Sequence, residues 1–459
     1  MFDIELLKHK NNICLIDENQ ILTYEEVNNL CKKLEESITD EKCLYLVLAD
    51  KNIETIISYL SLLRKNQAFI MLDINLDKSI LDNILNSYKP NYIIEKINNN
   101  TKYLFKFMNY GIKEYSNEKI IINKNLSLML STSGTTGSPK MVKLTKKNLY
   151  ANCNSIIKYL NITQNDVAIT NLPLHYSYGL SIINTHLAQG ASIVVTNNSI
   201  FSREFWNIFK KHKVTSLNGV PYTYEMLKRI GFFKMDLPSL RYLTQAGGKL
   251  NINYIKEFAT YAKEKNIDFF VMYGQTEATA RISYLPPKDI FKKLGSIGIA
   301  IPGGKLYIKD TNEPFKEGEL IYTGDNVMMG YAFSKEDLKK EDELHSVLHT
   351  GDVGYKDEDG YFYITGRLKR FIKIFGNRVN LDEIEQFLKS NDFNVACVGE
   401  DDKLLIATQN SDLEKIKNLI TKKFKIHHNI INIKQIDTIP TTSSGKIDYN
   451  RLKKEFDDY

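Results

Sequence analysis

The sequence predicts an α/β protein: a large N-terminal part on parallel sheets, followed by a small C-terminal part with strands and helices of its own. Three observations carry this expectation. Apolar runs of strand length alternate with stretches of helical periodicity over roughly the first 295 residues, the texture then changes to short glycine-broken β-like runs, and the last 90 or so residues begin a new strand and helix pattern. A chain of 459 residues also exceeds the size at which one hydrophobic core usually stops growing, so at least two folding units are expected.

Taken in order, LYLVLA at Leu44 to Ala49, a helical pattern from Ile53 to Lys65 and AFIML at Ala68 to Leu72 form a βαβ signature. The cycle returns with ASIVVT at Ala191, a helical segment through Trp206, VTSLNGVP at Val214, SLRYLTQAGG at Ser239, another helix, and DFFVMYG at Asp268. Such alternation places parallel strands side by side with helices on both faces. GSIGIAIPGG and GELIYTGDNVMMGY then suggest a smaller β-rich subdomain, interrupted by the charged stretch Ser334 to Glu343. NVACVGE near Asn394 and LEKIKNLITKKF near Leu413 belong to the last unit. The boundary is expected between Arg367 and Lys373, giving units 1–366 and 367–459.

Composition narrows the class. Hydrophobic residues at 43% and charged residues at 25% are those of a folded protein. The net charge of +6 comes from 61 basic and 55 acidic residues scattered along the chain, which argues against a nucleic-acid footprint. Cys14, Cys31, Cys43, Cys153 and Cys397 are isolated, odd in number and without metal-ligand spacing, as expected of buried thiols in a reducing compartment. No stretch suits a signal peptide or a membrane span, so a cytoplasmic enzyme is expected.

The strongest single signal is LSTSGTTGSPK, Leu130 to Lys140, following an apolar segment at Leu126 to Leu130. Two glycines and five hydroxyl residues between Thr132 and Ser138 offer unobstructed N–H groups and hydroxyl donors, the equipment for cradling phosphate oxygens. It is not a Walker A loop, since five residues separate Gly134 from Lys140 and Met141 follows the lysine. By composition alone the loop could equally be a polar surface turn.

The string itself resembles the phosphate-loop signature of the adenylate-forming superfamily: acyl-CoA synthetases, nonribosomal peptide adenylation domains and luciferases. Further segments continue in that family's order. The resemblance is nearest to the acyl-CoA synthetase and acyl carrier protein ligase type. It implies two doubly wound sheet subdomains, a small β-rich subdomain and a mobile α+β C-terminal domain.

The resemblance also implies roles. Thr132, Ser133, Gly134, Thr135, Thr136, Gly137 and Lys140 would hold phosphates. His175, in NLPLHYSYGLS, would line the acyl pocket, and Ala246, Gly247 and Gly248 would lie against adenine, where a side chain would block the ring. In YGQTE, which closes the DFFVM strand, Tyr273 would stack on adenine, Gly274 and Gln275 complete the turn, Thr276 meets phosphate and Glu277 holds Mg²⁺, a hard ion that prefers carboxylate oxygen. Asp352 in HTGDVGY would accept from the ribose hydroxyls, with Asp325 of an earlier TGD as a decoy. Arg367 would contact ribose, Lys369 would be the hinge, Lys373 and the Gly376 turn would serve the thiol-transfer state, and Lys446 in PTTSSGKIDY would be the catalytic lysine. GSIGIAIPG and VMMGY match as scaffold, and a basic run such as Lys369, Arg370 and Lys373 is usually solvated surface.

These parts suit one reaction. A carboxylate acylates poorly until its oxygen becomes part of a better leaving group, and attack on the α-phosphate of ATP makes it one. The attack joins two anions, so cations and oriented dipoles must stand where charge accumulates. The family's second step passes the acyl group to a phosphopantetheine thiol, of CoA or of an acyl or peptidyl carrier protein. Two alternatives stand beside a small carboxylic acid and CoA: an amino-acid-activating protein, disfavoured because no aspartate lies between Tyr176 and Leu187, and a non-catalytic nucleotide binder. The chain is shorter than most relatives, so a standard CoA pocket could be incomplete. A C-terminal unit of 17 basic and 14 acidic residues from Gly366 onward, net +3, suits an acidic carrier protein.

Overall fold

The computed structural model describes residues 8–131, 140–368, 370–374, 377–442 and 446–456. Its largest sheet has eight strands. Leu126–Ser131, Ala68–Asp73, Leu44–Ala49 and Tyr92–Lys96 run parallel at its centre. Their apolar runs are continuous because both faces are covered; the Ile53–Arg64 helix, which completes the expected βαβ unit, is itself buried along almost its whole length.

The expectation of parallel sheets needs correction at the edges. Met141–Thr145 and Gly330–Ala332 on one side, and Tyr110–Glu114 and Phe105–Phe107 on the other, pair antiparallel. A parallel neighbour needs a crossover of about a dozen residues or more, and the chain between Ser131 and Met141 is shorter than that.

In a second sheet Ser216–Gly219, Tyr242–Gln245 and Asp268–Tyr273 run parallel, and Ser283–Leu285 and Ile299–Ala300 continue it antiparallel. Val167–Ile169, Ser192–Val194 and Ile13–Ile16 form a parallel set beside it, closed by antiparallel Ile21–Thr23. Thr215 stitches the two together: its N–H donates to the Val167 carbonyl at 2.9 Å and its hydroxyl accepts from the Val167 N–H at 3.0 Å. Phe205, Trp206, Phe232, Phe258 and Phe269 fill the core under this region.

The β-rich texture after residue 295 is an antiparallel sheet of Gly304–Ile308, Gly318–Gly324, Val347–Lys356 and Phe362–Arg367. VMMGY is not part of it; its Gly330–Ala332 segment forms the edge of the eight-stranded sheet. The charged stretch makes a short 3₁₀ turn, Lys335–Lys339, with a capping box from Ser334 and Asp337.

The C-terminal part holds a hairpin, Phe371–Ile374 with Asn377–Asn380, and a sheet of Val395–Glu400, Lys403–Thr408 and Ile431–Gln435. The helices Leu381–Ser390 and Leu413–Phe424 cover it, burying Ile384, Leu388, Ile416 and Ile420. Arg370 is not the solvated residue its basic neighbourhood suggested: it donates to Asp382 and Glu385 at 2.6 Å each and lies 3.8 Å over the Tyr449 ring. All five cysteines are free thiols, and only Cys43 is partly exposed. Among the described residues no helix is long and apolar enough to cross a membrane.

Candidate active site

Three parallel strands of the second sheet end at one edge, in the turns after Gly219, Gln245 and Tyr273. Carboxyl ends of this kind are where open α/β sheets take ligands. The expected small-residue turn is tight. Gly247 has φ +84, and a Cβ there would lie 2.6 Å from the Tyr176 hydroxyl and 3.1 Å from Val220. A Cβ on Gly274 would fall 1.8 Å from the Ala280 carbonyl oxygen. Ala246 is buried and donates its N–H to the Gly219 carbonyl at 3.1 Å, while the Gln245 amide ties down the Gly248 carbonyl at 2.8 Å.

Beside this edge the carboxylate of Asp352, only 2% exposed, gathers three donors. The Tyr273 hydroxyl and the Gln275 amide (2.9 Å) donate to one oxygen, and the Arg367 Nε donates to the other at 2.8 Å. Antiparallel pairing sets Asp352 directly across from Arg367. Burial and the adjacent carboxylate push the Tyr273 phenol well up, so it serves as a donor. Asp325, in the other TGD, instead forms an exposed pair with Lys147 at 2.9 Å.

Lys446 enters this cluster from the C-terminal part. Its ammonium stands 5.5 Å from the centre of the Tyr176 ring, and its Cε would be 3.7 Å from a Cβ on Gly247. The residue as a whole is half-buried, but the ammonium end has lost its water. That loss, with the Arg367 charge, lowers its pKa to about 8 against the pull of Glu277 and Asp352. The C-terminal part is also held here by Lys249, whose ammonium donates to Gln386 at 2.7 Å and to the Ile364 carbonyl at 3.3 Å.

Glu277, whose charge Lys446 feels, accepts from the Tyr331 hydroxyl at 2.9 Å, and the Lys140 ammonium sits 3.6 Å over the Tyr331 ring. Thr276 and Ser177 bring their hydroxyls within 3.4 Å of each other. The His175 Nε2 lies 3.7 Å from an Asp73 carboxylate oxygen, and burial lowers its pKa.

Asp352, Arg367, Tyr273, Gln275, Glu277 and Lys446 therefore come together as one charged cluster at the strand edge. Thr132 to Gly137 and Lys369 lie outside the described residues. Lys373 stands apart from the cluster: its side chain is exposed, and its backbone N–H donates to Asp401 at 2.8 Å. The sequence reading passed over Tyr176, under the Lys446 ammonium, and Tyr331, between Lys140 and Glu277. Both sit inside quoted motifs, NLPLHYSYGLS and VMMGY, and an aromatic ring beside a conspicuous cation or carboxylate motif was the available signal.

A family model for AMP-binding enzymes matches residues 2–332. The chain belongs to the AMP-binding enzyme family. Among similar proteins, a 2-succinylbenzoate–CoA ligase of Listeria innocua is 27% identical over 72% of this chain and 70% of its own length. A 4-coumarate–CoA ligase of Narcissus pseudonarcissus is 30% identical over 71% of this chain and 63% of its own. The solved O-succinylbenzoate CoA synthetase of Bacillus subtilis in complex with AMP superposes with a TM-score of 0.79, covering 98% of both chains at 22% identity. In this AMP-binding protein, as in that structure, a large N-terminal part precedes a small C-terminal one.

Proposed function

We propose that this AMP-binding protein joins a small aromatic carboxylic acid to AMP with release of pyrophosphate, and then transfers the acyl group to the thiol of CoA. The observation that carries the proposal is the Lys446 ammonium, delivered from a separate unit into a cluster that also holds Glu277, Asp352 and Arg367. The aromatic class is suggested by the two ligases just described, whose names specify 2-succinylbenzoate and 4-coumarate.

The roles follow from geometry and chemistry. Asp352 presents a buried carboxylate suited to the paired hydroxyls of a ribose, with Arg367 beside it. The Ala246, Gly247 and Gly248 turn, where a side chain would clash, is assigned to the adenine together with Tyr273. Thr276 and Lys140 are assigned to the phosphates, as the family signature assigns the Thr132 to Gly137 loop, and His175 to the acid. Lys446, its ammonium withdrawn from water, draws together the acid carboxylate and the α-phosphate and stabilises the charge that builds between them.

Glu277 fits Mg²⁺: it is a carboxylate held by one neutral donor, Tyr331. Among the described residues no group of three metal-ligating side chains exists. That agrees with an ion that takes one or two protein carboxylates and completes its shell with water and substrate phosphate. When bound, it supplies positive charge against the phosphate oxygens.

Thiol transfer is assigned to a different face of the C-terminal unit, since a site closed over ATP cannot also admit a phosphopantetheine arm. We place the hinge at Lys369, with units 1–366 and 367–459, and assign exposed Lys373 to the second state. A carrier protein is the second reading for the acceptor, favoured by the net +3 of the C-terminal unit. A cytoplasmic setting suits the free thiols. Acid-dependent pyrophosphate release, measured over a panel of aromatic acids with and without CoA, tests the proposal; release independent of any acid would refute it.

A further inference from the structure

Three residues beyond Lys446 stands Tyr449, the first residue of the Tyr449–Lys454 helix. Its hydroxyl donates to the Glu385 Oε2 at 3.1 Å, and the Arg370 guanidinium lies 3.8 Å over its ring. Burial and the neighbouring Glu385 carboxylate push the phenol well up, so it stays a donor. Glu385 is only 5% exposed. Its Oε1 accepts from the Arg370 Nη2 at 2.6 Å and from the Cys397 N–H at 2.7 Å, and the Lys389 ammonium stands 3.6 Å from its Oε2. Arg370 spends its remaining donors on Asp382, through Nε at 2.6 Å, and on the Cys397 carbonyl, through Nη1 at 3.0 Å. An interlocked guanidinium, carboxylate and phenol thus tie together three segments: the residue after the proposed hinge, the Leu381–Ser390 helix and the chain that leaves Lys446.

Ion pairs taken out of water add little net stability, since desolvation offsets most of their attraction. Apolar packing already holds this end of the chain, with Ile439, Leu452 and Phe456 buried against Ala396, Val398 and Leu405, and Ile447 and Tyr449 packed on them. Such packing is non-directional, whereas hydrogen bonds to an ionised carboxylate fix an angle. Little slack separates Tyr449 from Lys446. Thr441 pairs with Ile447, the Asp448 N–H donates to the Pro440 carbonyl at 2.8 Å, and the Thr442 N–H donates to the Lys446 carbonyl at 2.7 Å. A shift at Tyr449 is therefore passed on to the lysine.

We propose that Tyr449 is a positioning residue for adenylate formation: locked by Glu385 and Arg370, it sets the place and angle from which the Lys446 ammonium enters the site. This rests on the adenylation reading, in which Lys446 acts between carboxylate and α-phosphate. The cluster lies wholly within the C-terminal unit and travels with it, so transfer to the thiol does not draw on it.

Tyr449→Phe tests this, because it keeps the ring and removes only the donor. Acid-dependent pyrophosphate release is expected to fall roughly 10- to 100-fold in kcat/KM, the scale of a misplacement of about 1 Å, while thioester formation from pre-made acyl adenylate stays within about twofold. Glu385→Gln is expected to act in the same direction, and the double variant to fall no further than Glu385→Gln alone, since both cut one link. Losses that multiply, equal loss in both half-reactions, or wild-type pyrophosphate release in Tyr449→Phe overturn the proposal. A second readout needs no turnover: the pH dependence of Lys446 acetylation by trace acetic anhydride, followed by mass spectrometry. Its midpoint, about pH 8 in the wild type, is expected to rise by about one unit or more in Tyr449→Phe as the ammonium returns to water, and an unchanged midpoint overturns the assignment. If no acid supports release from the wild type, the adenylation reading has failed, and this midpoint alone judges whether Tyr449 places Lys446. Thermal unfolding identifies a variant that fails to fold, and the other single variant then carries both readouts.

Discussion

Lys446 offers the sharpest test of the adenylation chemistry. Its pKa is lowered from 10.5 to about 8 because the ammonium is withdrawn from water and faces Arg367. At about 1.36 kcal/mol per unit, this shift disfavours the charged form by roughly 3 kcal/mol. The kcat/KM for ATP in the adenylate-forming half-reaction reports groups of the free enzyme. It is expected to hold steady up to about pH 7.5 and then fall about tenfold per pH unit above pH 8, as the lysine loses its proton. The kcat itself, measured with ATP bound, is expected to hold to higher pH, since the phosphates add negative charge that favours the ammonium form. Lys446→Ala removes the ammonium and is expected to lower adenylate formation by roughly 10²- to 10³-fold, the effect of losing one preorganised donor to developing charge, while transfer from pre-made acyl adenylate to the thiol is largely retained. Pyrophosphate release and thioester formation, each followed across pH 6.5 to about 9.5, provide the assay. A flat kcat/KM profile, or equal loss of both half-reactions in Lys446→Ala, would refute the role. The same lowered pKa carries a stability consequence: the cost of the unsolvated ammonium is fully present below pH 8 and fades as pH rises from about 8 towards 10.5.

The remaining expectations concern other parts of the site. Asp352→Asn should weaken ATP binding and lower stability by about 1–3 kcal/mol, because Tyr273, Gln275 and Arg367 all donate to that carboxylate; Asp325→Ala should change stability by no more than about 0.5 kcal/mol and leave turnover intact, as befits an exposed pair. Nucleotide titration and thermal melts of the two variants separate the TGD motifs, and equal effects would remove Asp352 from the nucleotide site. Gly247→Val sets a β-branched residue at φ +84 with its Cβ 2.6 Å from the Tyr176 hydroxyl, so it should raise the KM for ATP and acid together; wild-type kinetics would show that the turn is not against the ligand. Lys369→Pro should spare pyrophosphate release and reduce thioester formation, and full overall turnover would count against the hinge.

Some of this protein could be read directly from the order of its residues. The Leu44–Ala49, Ile53–Arg64 and Ala68–Asp73 unit is legible because a strand covered on both faces must be apolar throughout and the helix between must repeat at its own period. Asp268–Tyr273 and the YGQTE turn are legible for the same reason, together with the family signature. Such patterns are local: each residue's type answers to its own backbone and burial.

What only the folded chain decided is which distant residues meet. The GYKDEDGYFYITGR stretch after Asp352 already favours it over Asp325 by family resemblance; the folded chain adds the physical reason, antiparallel pairing with Arg367 and a buried place beside Tyr273 and Gln275. Arg370 reads as one basic residue in a basic run until Asp382, Glu385 and Tyr449 fold around it. Tyr331 joins the site because Gly330–Ala332 pairs with Met141–Thr145, far away in the chain. Arg281 shows the limit most plainly, since nothing in its local sequence reveals that its side chain is buried over the Tyr178 ring and beside the Met272 sulfur. Electrostatic partnership depends on distance and water content, and both are set by packing between segments that the order of residues does not place side by side.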